Sequence, residues 1–228
     1  LSSARYWRLF TSTHRGGSNK SCNKVLKRFS WHWWVCKTRE AKIVGMNKPE
    51  TDPVITQTQH WLEQAVIGLN LCPFAKSVHA NQRLRYVVSA ATEPEQLIQE
   101  LARELIFLQR ADPDEVETTL LIHPHVLTDF LDFNDFLDAA DGVIDELQLQ
   151  GELQIANFHP QYRFDGTQID DITNYSNRSP YPTLHLLRES SIERAIETMA
   201  DTDSIFETNV DTLRKLGLKG WKALGLAE

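Results

Sequence analysis

The chain has 228 residues and a net charge of −7, from 31 acidic and 24 basic side chains. This charge is unevenly divided, because residues 1–45 carry +9 and residues 46–228 carry −16. An acidic surface repels nucleic-acid phosphates and anionic membranes, so neither is an expected partner. The single cysteine after Met46 excludes a disulfide framework there, and no apolar run reaches the roughly 18 residues of a membrane span. We therefore expect a cytoplasmic protein.

Residues 1–45 form a basic, tryptophan-rich leader that we exclude from the fold. It carries four of the six tryptophans and shows no apolar periodicity. It is open to three interpretations: a basic arm for nucleic acid, an organelle transit segment, or upstream sequence translated ahead of a true start at Met46. The third is our prediction. Residues 46–228 are long enough for a single domain, whose core we place at about 54–217.

Hydrophobic periodicity predicts alternating helices and strands after Met46. In chain order we predict a helix over 56–69, a strand over 83–89, a helix over 92–110, a strand over 118–122, a helix over 128–147, strands over 153–158 and 183–187, and helices over 190–199 and 204–216. This order indicates an α/β fold, with a mixed or mostly parallel sheet of about four strands covered by helices. One long functional loop, 159–182, separates the last two strands.

The loop over 159–182 is the most polar stretch of the predicted domain. Loops of this length in compact domains are usually functional, and its aromatic side chains argue against disorder. Aromatic groups can shape a pocket in which amides, arginines and histidines orient a small molecule. The alternative is a structural loop whose polar groups satisfy its own backbone. The predicted substrate-binding residues are Arg163, Asn174, Tyr175, Asn177, Arg178 and His185.

Two His-Pro pairs each follow a predicted strand, at His123 and His159. Ligands gather beyond the carboxyl ends of strands in open α/β sheets, and imidazole both transfers protons near neutral pH and binds zinc. If the two strands are parallel neighbours, both histidines lie at one edge of the sheet. We predict that His159 and His123 are catalytic acid/base groups, and that His123, His125 and His159 are the candidate metal ligands. The alternative is ordinary turn chemistry.

Arginines and one cysteine complete the predicted chemistry. Arg163, Arg178 and Arg188 could clamp a carboxylate or phosphate through paired hydrogen bonds, or instead form salt bridges with nearby acids. Cys72 is a third catalytic candidate if it faces the pocket, and otherwise a small buried hydrophobe.

These residues together predict a small enzyme that acts on an anionic small molecule by histidine-based acid/base or metal-assisted chemistry. The alternative is a non-catalytic domain that uses the same pocket to bind a ligand or a protein partner. No motif identifies a cofactor.

Four segments of the chain resemble one known family. They are Gly-Leu-Asn-Leu-Cys-Pro-Phe-Ala at 68–75, Leu-Thr-Asp-Phe-Leu at 127–131, Phe-His-Pro at 158–160, and Asn-Arg-Ser-Pro-Tyr-Pro-Thr-Leu-His-Leu-Leu-Arg-Glu at 177–189. Over about 54–217 the chain is similar to the bacterial family known as domain of unknown function 1415. The resemblance implies no activity, cofactor or catalytic residue. It supports Met46 as the start, because the leader has no counterpart in that family.

Overall fold

A computed structural model of the chain describes residues 52–197 and 204–226. The leader, the predicted start at Met46 and the last residues of the helix predicted over 190–199 lie outside these ranges. The helices are α1 (Pro53–Trp61), which continues as a π-helix (Leu62–Ile67), α2 (Ala75–Ala80), α3 (Pro94–Arg110), α4 (Phe130–Glu146), a 3₁₀-helix (Ile172–Asn177), α5 (Glu189–Glu197) and α6 (Ser204–Lys222). The strands are β1 (Leu84–Val88), β2 (Thr118–Ile122), β3 (Leu153–Phe158) and β4 (Thr183–Arg188). Across the described ranges, no helix has the length and apolar character needed to span a membrane.

The four strands form one mixed sheet in the order β1-β2-β4-β3, which confirms the predicted α/β fold. β1 and β2 are parallel, whereas β4 lies antiparallel between β2 and β3. β1, β2 and β3 therefore run in the same direction and end at the same edge. Ile122 pairs with Thr183, which in turn pairs with Phe158. His123 and His159 follow these strand ends and so leave the sheet at one edge, although their strands are not direct neighbours.

The larger apolar core lies between one face of the sheet and helices α3 and α4. Strand side chains alternate between the two faces, which places Leu121, Leu184 and Leu186 in this core. Helix α4 begins at Phe130 because the Asp129 carboxylate accepts hydrogen bonds from the first free backbone N–H groups of the helix. The core side of the sheet is thus closed by two long helices whose apolar stripes are buried against it.

The opposite face of the sheet is covered by α1, the π-helix, α5 and α6. A smaller apolar cluster around Trp61, Leu62, Ala65 and Val66 packs against this face. The Trp61 ring meets Phe158 of β3 edge-on, with ring centroids 5.2 Å apart. α1 and α5 are shorter than α3 and α4, and α6 is interrupted at Gly217, so these helices leave a cavity against the sheet.

Gly68 closes the π-helix, an element that the periodicity did not predict. Its N–H donates to the backbone oxygen of Glu63, five residues earlier, at 2.9 Å. A Cβ atom at this position would lie 2.3 Å from the backbone oxygen of Gln64, so only glycine fits without a shift of the backbone. The chain then turns through Asn70, which has a φ of 55°. This turn carries Cys72 towards the sheet.

Three further differences from the predicted elements have local causes. Helix α2 was not predicted, because its six residues include no buried side chain and so leave no apolar stripe. The 3₁₀-helix lies inside the stretch predicted as a loop. The helix predicted to end at 216 does leave helical geometry at Gly217, which has a φ of 64°, but the chain resumes helical structure to Lys222.

Candidate functional site

A cavity of about 430 Å³ lies between the second face of the sheet and the helices that cover it. Its walls are mainly apolar, with Trp61 and Val66 on the helical side and Leu120 and Ala156 on the strands. A smaller number of polar side chains interrupt these walls. The polar lining residues include Cys72, Thr118, His185, Arg188, Arg194 and Asn209.

His185, in the middle of β4, is one of the polar residues that line this cavity. Its Nε2 atom lies 2.7 Å from the Thr118 hydroxyl oxygen, and that hydroxyl donates its only hydrogen to the backbone oxygen of Leu186 at 2.6 Å. His185 must therefore donate from Nε2, which leaves Nδ1 as a bare acceptor. No residue in 52–197 or 204–226 provides a hydrogen bond to Nδ1. Burial lowers the pKa of His185 to about 4, so the ring is neutral at neutral pH.

Cys72 and Asn209 lie in the same cavity wall. Burial raises the pKa of the Cys72 thiol, which is therefore protonated at neutral pH. Asn209 is 5% exposed and donates from Nδ2 to the backbone oxygen of Leu71 at 2.9 Å. Its Oδ1 atom accepts no hydrogen bond from the described part of the chain. No hydrogen bond joins Cys72 to His185, so the imidazole does not activate the thiol in this arrangement.

Arg188, at the end of β4, lines one end of the cavity and is 8% exposed. Its Nη2 atom donates to the backbone oxygens of Leu108, Ala111 and Val116. Two of these oxygens belong to the carboxyl end of α3, where the helix dipole favours a positive charge. The Nε atom of the same guanidinium is buried and has no hydrogen-bond partner.

Arg194 of α5 is an exposed side chain at the same end of the cavity. Its Nη2 atom donates to the hydroxyl of Ser191 at 3.1 Å. Glu117 is the carboxylate that lines this end, and it is ion-paired with Arg83 at 3.2 Å. The residues at this end therefore comprise two arginines and one glutamate, whose carboxylate already has a partner.

His159, a predicted catalytic residue, lies outside the cavity, on the α4 side of the sheet edge. It is 0% exposed, and its ring centroid lies 5.1 Å from that of Phe133. The Nε2 atom donates to the backbone oxygen of Leu127 at 3.2 Å, and Nδ1 accepts from the backbone N–H of Gln161 at 3.0 Å. Burial lowers its pKa to about 4. Both nitrogens are thus used within the protein.

The His123 ring also packs against Phe133, with ring centroids 5.6 Å apart. Its Nδ1 atom donates to the backbone oxygen of Val126 at 3.0 Å, while Nε2 is buried without a partner. Burial, with a smaller contribution from His159, lowers its pKa to about 4. His125 is exposed. In the described ranges, no group of three or more His, Cys, Asp or Glu side chains is arranged to hold a metal ion, and the three-histidine ligand set stays a prediction.

The predicted anion-binding residue Arg178 holds the long loop together. Its Nε atom donates to the backbone oxygen of Tyr162 at 3.2 Å, and Nη2 donates to that of Ile169 at 2.5 Å. The guanidinium carbon stacks 4.1 Å from the ring centroid of Tyr175. Arg163, by contrast, is exposed on the same loop. Neither arginine lines the cavity.

Asn174 also satisfies the backbone of the loop. It is fully buried, its Oδ1 atom accepts from Phe164 N–H and the Thr167 hydroxyl, and its Nδ2 atom donates to Gln168. Asn177 differs, because it lines the cavity and donates from Nδ2 to the backbone oxygen of Asn157 at 3.4 Å. Of the residues singled out from sequence, the cavity therefore brings together Cys72, Asn177, His185 and Arg188.

Comparison with known families covers nearly all of the described chain. The sequence model of the family described as protein of unknown function, DUF1415, matches residues 53–223. The chain belongs to this family. The match confirms the resemblance seen in the sequence, and it extends from α1 to the end of α6, so that it includes the whole cavity. No curated protein and no solved structure matches the chain.

Sequence reasoning on this DUF1415 protein missed several cavity residues. Asn209 is four residues after Ile205 and four before Leu213, so helical spacing places it on the buried stripe of α6. A buried amide on an apolar stripe is a usable signal for a site. Thr118 gives a weaker signal, as a hydroxyl at the start of a wholly buried strand. Arg194 gives none, because an exposed arginine on a short helix is ordinary.

Proposed function

We propose that the protein binds a small, mostly apolar molecule in the cavity that His185 lines. The observation that carries this proposal is the neutral His185 ring, whose Nδ1 acceptor has no partner among the described residues although it lines an apolar cavity of about 430 Å³. Small-molecule sites commonly have volumes of about 300–1,000 Å³, apolar walls and a few polar groups that fix orientation. This cavity has all three properties.

Two acceptors suggest what the ligand offers in return. His185 Nδ1 and Asn209 Oδ1 both lack donors in the described chain, and neither is among its buried atoms without a partner, so both acceptors are open to the cavity. A ligand with a hydroxyl or N–H group would satisfy one or both of them. The proposed ligand is therefore an apolar molecule with at least one hydrogen-bond donor.

The uncharged dye N-phenyl-1-naphthylamine tests this proposal, because it combines apolar rings with one N–H and fluoresces strongly in apolar sites. We expect saturable binding to the wild-type protein. Ala156→Leu adds a larger side chain to the cavity wall, and we expect it to weaken binding at least about tenfold by occupying the ligand volume. Leu187→Trp, on β4, provides a second filled cavity if the first variant does not fold.

The control variant is Leu131→Ala, which removes an exposed leucine of α4 (63% exposed) that does not line the cavity. It should leave dye binding unchanged. Dye binding that survives in every folded cavity-filling variant, or that disappears in Leu131→Ala, would mean that the dye binds the surface and that the proposal is wrong. Far-ultraviolet circular dichroism establishes that each variant is folded.

A second candidate function is catalysis on the bound molecule, with His185 as the general base and Cys72 as the nucleophile. The observation that favours it is that both side chains line one cavity. Here His185 takes the role predicted for His159, since the latter has both ring nitrogens engaged. This candidate requires the bound ligand to bring Cys72 and His185 into hydrogen-bond contact, which they lack in the structure. Nδ1 would then take the thiol proton, and the thiolate would attack an electrophilic carbon of the ligand.

The pH dependence of Cys72 alkylation by iodoacetamide separates binding alone from catalysis. Without activation, the rate rises only above the pKa of an ordinary thiol, because burial raises the pKa of Cys72. If His185 acts as the base, the rate at neutral pH is high and His185→Gln lowers it at least about tenfold. A slow reaction that is unaffected by His185→Gln would eliminate the catalytic candidate and leave the binding proposal intact.

A further inference from the structure

We propose that the bound molecule is an amphipathic carboxylic acid whose carboxylate pairs with Arg194 at one end of the cavity, near the charge of Arg188. This inference rests on the proposed binding function and specifies its ligand. Residues 46–228 carry a net charge of −16, so two arginines that line the same end of a mainly apolar cavity stand out against an acidic background. A planar guanidinium group binds a carboxylate through two parallel hydrogen bonds.

Arg188 is held in place by the protein but is not fully satisfied by it. The three backbone oxygens that it contacts all accept from Nη2. Its buried Nε atom has no hydrogen-bond partner, and Nη1 forms no hydrogen bond with the described residues. Arg188 shares a face of β4 with Leu184 and Leu186, so its anchored guanidinium lies on the core side of the sheet. Arg188 therefore contributes a fixed positive charge near this end of the cavity and does not contact the ligand directly.

Arg194 provides the second, adjustable charge. Its only hydrogen bond within the described residues is the one to Ser191, and it forms no ion pair with a carboxylate there. Burial is the largest cause of the lowered pKa of Arg188, and the nearby charge of Arg194 lowers this pKa further. The carboxylates of Glu117 and Asp112 raise it. Like charges held close together bind an anion more strongly than either alone.

The ligand class follows from the two ends of the site. The apolar walls would bury a hydrocarbon or aromatic body, while the arginine end, which is open to solvent at Arg194, would hold the acid. A fully buried carboxylate would have a large desolvation cost, and a carboxylate at a partly open rim avoids most of it. The acid expected here is therefore a monocarboxylate with its charge at one end.

Competition against bound N-phenyl-1-naphthylamine tests this inference with a matched pair of probes, decanoate and decanol, at neutral pH. We expect decanoate to displace the dye at a concentration at least about tenfold lower than decanol does, and this ratio to decrease at high salt. Arg194→Gln should abolish the preference for decanoate while leaving displacement by decanol unchanged. Arg103→Gln, an exposed position on α3 outside the cavity, makes the same change in net charge and should retain the preference.

The outcomes separate the two proposals. If the dye and decanol bind in the cavity but decanoate has no advantage, or if Arg194→Gln keeps that advantage, the acid-binding inference is wrong and the binding function stands. If Arg103→Gln loses the preference as completely as Arg194→Gln does, the effect is due to net charge and the inference is also wrong. If the dye does not bind the cavity at all, the binding function itself fails.

Discussion

The His159 ring donates from Nε2 to the backbone oxygen of Leu127 at 3.2 Å, and this bond joins the end of β3 to the loop before α4. Leu127 has a φ of 56°, so the loop adopts a left-handed conformation where the ring meets it. The same imidazole accepts from the Gln161 N–H at 3.0 Å. His159 therefore connects two chain segments at the edge of the sheet and fixes the turn that follows β3.

The structural role of His159 predicts a loss of stability when the ring is removed. His159→Ala leaves the Leu127 carbonyl and the Gln161 N–H without partners and opens a space beside Phe133. We expect the free energy of unfolding to decrease by about 2–4 kcal/mol. Urea denaturation measures this decrease, with His125→Ala as the control, because the exposed His125 should change stability by less than about 0.5 kcal/mol. Equal effects of the two substitutions would contradict the prediction.

Three buried neutral histidines predict that the protein becomes less stable in weak acid. Burial lowers the pKa values of His123, His159 and His185 to about 4, whereas an unfolded histidine titrates near about 6.5. Below about pH 6.5 the unfolded chain takes up protons that the folded protein does not, so the free energy of unfolding falls as pH falls, and the fall levels off below about pH 4. The nearby Asp129 carboxylate opposes part of this effect at His159.

Urea unfolding at about pH 7, 6 and 5 measures this dependence. Each buried histidine should contribute a loss of about 2 kcal/mol by pH 5, since one unit of pKa difference corresponds to about 1.4 kcal/mol. His185→Gln removes one of the three titrating groups and should make the decrease with falling pH smaller. His60→Gln changes an exposed histidine and should leave the decrease as in the wild type. If the free energy of unfolding of His185→Gln decreases with falling pH as much as that of the wild-type protein, the His185 ring does not titrate as described.

The strands were the best-predicted part of the fold, because their signal is local. The ranges predicted for β2 and β3 match the structure to the residue. Both are short runs of mainly apolar residues, and each is followed by a His-Pro pair that ends the strand. The shared edge of His123 and His159 was also predicted, and it holds because β1, β2 and β3 run in the same direction. The insertion of β4 between β2 and β3 is a pairing over long distance, which periodicity does not encode.

The cavity could not be predicted, because residues far apart in sequence form it. Cys72 follows the π-helix and Asn209 lies in α6, yet the Asn209 amide bonds to the residue just before Cys72. Such contacts depend on how α6 packs and not on the sequence around either residue. Two loop residues predicted to bind a ligand, Asn174 and Arg178, form hydrogen bonds with the loop's own backbone, and their role in ligand binding stays a prediction.

Arg178 should therefore affect the loop more than it affects ligand binding. Arg178→Ala removes the bonds to Tyr162 and Ile169 and the stacking on Tyr175, and we expect a decrease of about 1–3 kcal/mol in the free energy of unfolding together with faster proteolysis within 163–171. Dye affinity in the cavity should change less than about threefold. The matched control is Arg163→Ala, an exposed arginine of the same loop that should alter neither property. If Arg178→Ala instead lowers the affinity for an anion and leaves the free energy of unfolding unchanged, Arg178 binds the anion as predicted from the sequence.

Gly68 connects backbone geometry to the cavity. An added Cβ would lie 2.3 Å from the backbone oxygen of Gln64, so Gly68→Ala forces the π-helix to shift. We expect a decrease of about 1–3 kcal/mol in the free energy of unfolding, which is typical of overpacking. Dye affinity should also decrease, because the π-helix carries Val66 and leads to Cys72, both of which line the cavity. Gln64→Ala is the control, since alanine at this exposed position meets no backbone atom and should leave both stability and affinity unchanged. A neutral Gly68→Ala would mean that the π-helix is not required for the cavity.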